Sequence, residues 1–343
     1  MIIRSKAPLR LGIAGGGTDV SPYSDEFGGC VLNATINMYA YAHLDTNIDS
    51  NVVSFEAKDI ALNETISLDE GKFCLEGKLL LHRAVYIRVM EEFNDGEYIP
   101  LKLVTHSDAP PGSGLGSSST MVVAMLEAYR QLLSLPLGEY DIAHLAYEIE
   151  REDCQLSGGK QDQYAATFGG FNFMEFYDAG RVIVNPLRIR RYIISELEAS
   201  LILFFTGASR DSAKIIEDQI KSIEQDDGSG LEAMHQVKES SYKIKELLFK
   251  ADIPGVANEF KLSWAAKKAT SSSITNQMID ALEDDILTAG ATSMKVSGAG
   301  GGGFMMIFVK PENKIDVLNA LEQHDGAVHK VQFTNEGVFS WSI

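Results

Sequence analysis

The chain has 343 residues, 45% hydrophobic and 23% charged, enough apolar material for a buried core and more than one average domain's worth of length. A net charge of −18 argues against a nucleic-acid surface or a polybasic membrane patch, but a few local cations could still serve one anionic small ligand. Three scattered cysteines, no apolar run of membrane-spanning length and no signal-peptide core predict a reduced, cytoplasmic protein with no membrane partner.

The predicted elements run as follows. Residues 28–49 are rich in β-formers and small residues and read as strands, continued by Val52–Phe55. Apolar positions at helical spacing predict a helix over 78–93, and alternation predicts a strand over 101–106. That strand runs into a glycine loop, Pro110-Pro111-Gly112-Ser113-Gly114-Leu115-Gly116-Ser117-Ser118-Ser119, followed by an apolar helix over 119–133. A second helix is expected over 141–153, then a loop over 157–163, a short stretch over 165–170 and a strand over 171–176. A composition change near 188–195 marks the expected boundary between domains 1–193 and 194–343. Beyond it come a buried strand at 201–205, a turn or lid at 226–230, and helices over 231–250 and 275–289. Strand 293–296, a second glycine loop at 297–303, strand 304–309, helix 312–323 and strand 327–333 complete the chain. Strands alternating with helices point to an α+β fold.

The two glycine loops differ in context. Gly298, Gly300 and Gly303 match the dinucleotide pattern G-x-G-x-x-G, but a strand follows them where a nucleotide site needs a helix, which excludes a Rossmann site. The loop at 110–119 lacks the lysine of a Walker loop, yet it joins a strand to a helix N-terminus, where free amides and the helix dipole favour a phosphate. Ser117 and Ser118 carry hydroxyls that could also ligate Mg²⁺, although a serine there can simply cap the helix.

The loop P-P-G-S-G-L-G-S-S-S resembles the ATP loop of the GHMP kinases. Ala7-Pro8-Leu9-Arg10-Leu11-Gly12-Ile13-Ala14-Gly15-Gly16-Gly17-Thr18-Asp19 resembles their N-terminal motif, and Lys295–Phe304 their C-terminal glycine motif. The three together span almost the whole chain. Ser21-Pro22-Tyr23, Ser157–Gln163, Thr206–Arg210 and Trp264–Lys268 resemble the branch of anomeric sugar kinases that act on heptose 7-phosphates and on fucose.

The resemblance implies an N-terminal α/β domain similar to a ribosomal protein domain and a ferredoxin-like C-terminal domain. It implies ATP and Mg²⁺, and transfer of the γ-phosphate to the anomeric hydroxyl of a sugar phosphate. A heptose 7-phosphate giving the 1,7-bisphosphate, for activated-heptose and surface-polysaccharide synthesis, is the leading acceptor, with L-fucose the alternative. Small molecules are then the partners, and a homodimer is left open. A decarboxylating relative acting on mevalonate-type substrates fits the Gly15–Asp19 segment poorly, and a non-catalytic sugar sensor would not need Arg10, Glu150 and Asp162 together.

On this resemblance Pro111, Gly112, Ser113, Gly114, Leu115, Gly116, Ser117 and Ser118 hold the ATP phosphates. Ser118 and Glu150, twelve residues before Asp162, hold the metal, with Glu148 and Glu152 as neighbours of the same type. Asp162 takes the sugar hydroxyl's proton or acts through its charge, and Arg10 orients it. Gly15, Gly16, Gly17, Thr18 and Asp19 face the sugar, since a carboxylate accepts two hydroxyls and glycines admit a ring close to backbone. Lys160 and Arg210 lead for the acceptor's phosphate, with Lys267 and Lys268 behind them. Gly300, Gly301 and Gly302 support the phosphate loop.

Overall fold

The computed structural model describes residues 1–48, 50–70, 73–207, 212–225 and 228–343. Its first half runs β1 (Ile2–Ala14), α1 (Tyr23–Phe27), β2 (Gly29–Asp45), β3 (Val52–Ala57), β4 (Leu62–Ser67), α2 (Leu80–Phe93), β5 (Leu101–Ser107), α3 (Ser117–Leu133), α4 (Glu139–Glu148), α5 (Gln161–Phe168), β6 (Phe171–Phe176) and β7 (Val182–Pro186). Then follow α6 (Arg191–Ser200), β8 (Leu201–Phe205), α7 (Ser212–Gln225), α8 (Ser229–Phe249), α9 (Ile253–Thr270), α10 (Gln277–Thr288), β9 (Ala291–Val296), β10 (Phe304–Val309), α11 (Lys314–Leu321), β11 (Ala327–His329) and β12 (Phe339–Ser342).

Two sheets result. The larger has the path β12-β1-β2-β5-β3-β4, with β6 on β2 and β7 on β6; its one parallel pair is β3 with β5. The smaller has the order β11-β8-β10-β9, all antiparallel. Numbered along the chain, that is 4-1-3-2 in a β-α-β-β-α-β connection, the ferredoxin-like arrangement. Strand β12 returns to pair with β1, so residues 339–342 belong to the first sheet and a division at 193/194 cuts through it.

Strand β1 sets up the site. Ile3 and Ala7 pack with α3, and the Ser5 hydroxyl donates to the Ala124 carbonyl of that helix at 2.5 Å. A register shift between Pro8 and Arg10 then reverses which residues face it. Leu9, Leu11 and Ile13 turn instead into a core shared with Leu203, Phe304, Met306 and Phe260 of the second sheet and α9. Arg10, between two of them, is left on the opposite face, toward the helices α3 and α5.

Behind the second sheet, Trp264 of α9 packs with Ile202, Phe204, Met305 and Ile307, and its indole N–H donates to Glu283 at 3.2 Å. Trp264→Ala should lower the unfolding free energy by about 3–5 kcal/mol. An unchanged urea midpoint would contradict that placement.

Several expected boundaries shift. The helix expected over 141–153 ends as an α-helix at Glu148 and continues as one π-turn, Ile149–Asp153. The expected loop through 163 instead starts helix α5 at Gln161. The amides of Lys160, just before it, and Gln161, its first residue, donate to the Asp19 carboxylate at 3.0 Å each, a cap from 141 and 142 residues away that no local pattern encodes. Helices α7 and α9 have no counterpart among the expected elements, and β11 is shorter than the strand expected there. Part of the expected turn at 226–230 lies outside the described residues. No described helix is long and apolar enough to cross a membrane.

Candidate active site

The two glycine loops meet face to face. The Phe304 N–H donates to the Ser113 carbonyl at 2.8 Å, and the Ser297 hydroxyl to the Gly114 carbonyl at 3.0 Å. Gly114 has φ +83, and a Cβ there would overlap the Ser297 carbonyl oxygen. The contact therefore requires glycine on both steric and conformational grounds. Direct support for the first loop comes from Ser297, Gly298, Gly303 and Phe304. Gly300 and Gly301 pack against Ile274 instead, the Gly301 N–H donating to the Ile274 carbonyl at 2.6 Å; Gly302 takes φ +147.

Helix α3 begins immediately after the first loop, at Ser117. The Ser113 N–H is spent on the Pro110 carbonyl, whereas among the described residues the amides of Gly114, Leu115, Gly116 and Ser117 meet no backbone acceptor. The Ser113 hydroxyl is buried with no hydrogen-bond partner among the described residues. Loop and helix N-terminus thus offer a cradle of donors.

Arg10 joins the parts. It is 3% exposed. Its Nε and Nη2 lie 2.6 and 2.5 Å from Asp162 Oδ1, its Nη1 donates to the Gly114 carbonyl at 2.7 Å, and Ser297 Oγ is 3.4 Å away. One guanidinium therefore touches the carboxylate of α5 and both glycine loops.

Glu150 lies in the π-turn with no solvent exposure. It accepts from Ser118 Oγ at 3.3 Å and from Gln163 Nε2 at 2.5 Å, and Arg151 is 4.0 Å away. Burial pushes its carboxyl above the usual range, and Arg151 and the hydrogen bonds oppose that rise. A buried carboxylate beside a serine hydroxyl at a phosphate cradle suits a hard, octahedral cation that keeps waters and takes phosphate oxygens, so this pair fits Mg²⁺. Glu148 pairs with Arg88 instead.

Asp19 is almost completely buried, and its partners differ from the expected sugar hydroxyls. Besides the two α5 amides it accepts from Gln161 Nε2 at 3.0 Å and the Gly17 N–H at 3.1 Å. Four donors occupy the lone-pair directions of one carboxylate. Asp19 thus ties the Gly15–Gly17 turn to α5 while still lining the cleft. Thr18 is internal too, its hydroxyl bonded to the carbonyls of Gly15 and Cys30. Lys160 is turned to Asp25 at 3.7 Å and the Tyr147 ring. Arg210 lies outside the described residues.

These groups line one cleft of about 290 Å³, which Arg10, Gly17, Asp19, Gly114, Ser118, Glu150, Asp162 and Lys267 border. A second cavity of about 250 Å³ adjoins it through Ser117 and Ser118 and is walled by Ile60, Leu79, Leu81, Pro111 and Met121. His82 in its wall bonds Thr105 at 2.8 Å, and burial lowers its pKa to about 4, so this imidazole is uncharged at neutral pH. The sequence reading did not find this cavity, nor Gln161, Gln163, Arg151 and Ser297. The polar run around Asp162 and the serine before the second glycine loop were the only local signals.

Three comparisons bear on this geometry. The family model described as "GHMP kinases N terminal domain" matches residues 80–170, which include the first glycine loop, Glu150 and Asp162. A Campylobacter jejuni protein named D-glycero-alpha-D-manno-heptose 7-phosphate kinase is 47% identical over 342 residues, covering 99% of each chain. A crystal structure described as a D-glycero-D-manno-heptose 1-phosphate kinase from Bacteroides thetaiotaomicron superposes with TM-score 0.84 at 42% identity, again covering 99% of each chain. An Arabidopsis thaliana bifunctional fucokinase/GDP-fucose pyrophosphorylase is 27% identical over 98% of this chain and 32% of its own length. At the identity and coverage of the first two, the chain belongs to the GHMP kinases, enzymes that transfer a phosphoryl group from ATP to a hydroxyl acceptor.

Proposed function

We propose that the enzyme phosphorylates the anomeric hydroxyl of D-glycero-D-manno-heptose 7-phosphate to give the 1,7-bisphosphate, for nucleotide-activated heptose. The observation that carries the chemistry is the Arg10 guanidinium bound at once to Asp162 and to the Gly114 carbonyl of the phosphate loop. It puts an acceptor-side carboxylate next to the donor-side loop. Sequence identity of 47% with the Campylobacter protein supports the heptose.

In this reading the apolar cavity beside Pro111 and Leu79 takes the nucleoside, and the loop amides with Ser117 take the phosphates. Ser118 and Glu150 hold Mg²⁺, which supplies positive charge to the phosphate oxygens. Asp162 accepts the proton of the attacking hydroxyl as its oxygen bonds to the γ-phosphorus and the bridging oxygen leaves with ADP. Arg10 fixes the Asp162 carboxylate and offsets charge on the transferring group. Gly17, in the turn that Thr18 and Asp19 hold, forms the sugar side, while Gly15 packs against the Cys30 carbonyl of β2.

The names of the two similar heptose kinases place the phosphate on different carbons, so the acceptor is the point to test. ADP release should be measured with heptose 7-phosphate, heptose 1-phosphate, unphosphorylated heptose and L-fucose. The 7-phosphate is expected to have the highest kcat/KM. Turnover confined to the 1-phosphate or to unphosphorylated sugars would overturn the proposal.

A further inference from the structure

We infer that Lys267 of α9 is the specificity residue that receives the acceptor's phosphate, an inference that rests on the sugar-phosphate reading above. Of the other cations expected to do so, Lys160 pairs with Asp25 at 3.7 Å, Lys268 pairs with Glu283 at 2.9 Å, and Arg210 lies outside the described residues. Of the cations that border the cleft, Arg10 is bound to Asp162. Arg151 lies 4.0 Å from Glu150 and reaches back to the carbonyls of Leu156 and Gly159 at 3.2 and 3.4 Å.

Lys267 stands apart. It borders the cleft yet is 2% exposed, and among the described residues no carboxylate lies within 4.0 Å of its ammonium. Its hydrogen bond among them is to the Gly16 carbonyl at 2.7 Å, which leaves two N–H groups for a ligand. A lysine buried with no carboxylate in direct contact is costly, and an anion in the cleft would supply that contact. Behind it Lys295, also buried, donates to the carbonyls of Gly12 and Ile13 at 3.3 and 3.2 Å, so two lysines underlie the glycine turn.

Gly17 keeps the ammonium open. It has φ +104, and a Cβ there would stand 3.1 Å from Lys267 Nζ, so the glycine leaves space beside the ammonium at the cleft wall. The third glycine of Gly15-Gly16-Gly17 thus has a use beyond the turn itself. A dianionic phosphate, with three acceptor oxygens, suits two free N–H donors better than a sugar hydroxyl does.

The charged groups facing Lys267 are Asp19 and Arg10 from the first half and Lys295 from β9. Helices α7 and α8 present Gln219 and Met234 beside Gly17, and neither titrates. Burial lowers the Lys267 pKa to about 8, with Asp19 opposing and Arg10 adding to the fall. The protonated form binds the phosphate, so kcat/KM for a phosphorylated acceptor should fall above about pH 8 as the free enzyme loses that proton.

The test compares heptose 7-phosphate with unphosphorylated heptose on the wild-type enzyme, Lys267→Met and Lys267→Arg. Lys267→Met should lower the ratio of the two kcat/KM values about 10–100-fold, the size of a charged hydrogen bond. Lys267→Arg should restore part of that ratio and remove its decline above pH 8. Should Lys267→Met fail to fold, Lys267→Gln, which keeps an N–H for the Gly16 carbonyl but carries no charge, should show the same loss of ratio, and an unchanged ratio in it overturns the inference. An equal loss on both sugars in Lys267→Met also overturns it, leaving Lys267 a support for the Gly16 turn. A wild-type enzyme that prefers the unphosphorylated sugar removes the function proposed above as well, which separates the two failures.

Discussion

Asp162→Asn lowers kcat by about two to four orders of magnitude, the contribution of a positioned proton acceptor, and leaves ATP affinity within a few-fold of wild type. The side chain keeps its size, so the first turn of α5 and its cap by Asp19 are untouched. What changes is the charge. The amide cannot take the hydroxyl proton, and Arg10, 3% exposed, loses its ionic partner. An uncompensated buried cation costs about 3–5 kcal/mol, so a lower melting temperature should accompany the kinetic loss. Because Arg10 also holds the Gly114 carbonyl, nucleotide binding is the informative control. Calorimetric ATP affinity that survives while transfer disappears assigns the defect to the acceptor side. A kcat within threefold of wild type would remove Asp162 from the reaction.

Gly114→Ala is the second large effect and acts on the donor side. The new Cβ would meet the Ser297 carbonyl oxygen, and the backbone would hold a non-glycine residue at φ +83. The left-handed conformation costs an alanine about 1–2 kcal/mol by itself. Relieving the overlap must pull the loops at 110–119 and 297–303 apart, and with them the Arg10 contact to the Gly114 carbonyl. Loss of aligned phosphate donors of this type costs about 10²–10³ in rate, so kcat/KM for ATP should fall by at least about a hundredfold. The lesion is confined to one loop contact, so the far-ultraviolet circular dichroism should be unchanged. Wild-type ATP kinetics in this variant would mean that the two loops do not act as one unit.

The sequence carried the local parts of this site and little of what joins them. The loop at 110–119 was readable because a strand, glycines and a serine-led helix follow one another within the chain. Arg10 and Asp162 were readable only through the resemblance, since nothing local says that residues 152 positions apart share a salt bridge. The register shift after Pro8, which aims Arg10 at the cleft, depends on how β1 pairs with β2. The start of helix α5 reads as a loop because its cap, Asp19, comes from the other side of the fold. The same tertiary demand changes the meaning of Asp19: four donors converge on it, so the residue expected to hold sugar hydroxyls chiefly holds the glycine turn. Helix α9 is hard to read from the sequence because its buried face mixes polar with apolar residues, Glu259, Ser263, Lys267 and Thr270 lying among Val256, Phe260 and Trp264. That mixture hid Lys267, whose place in the cleft only the packed structure reveals.

The most direct test of the account is the position of the new phosphate. The enzyme should be incubated with ATP, Mg²⁺ and D-glycero-D-manno-heptose 7-phosphate and the product followed by phosphorus NMR. The account predicts one new sugar-phosphate signal coupled to the anomeric proton, with the C7 phosphate signal retained and ADP formed in equal amount. A new phosphate on any other carbon, or ADP released with no sugar bisphosphate, would contradict it.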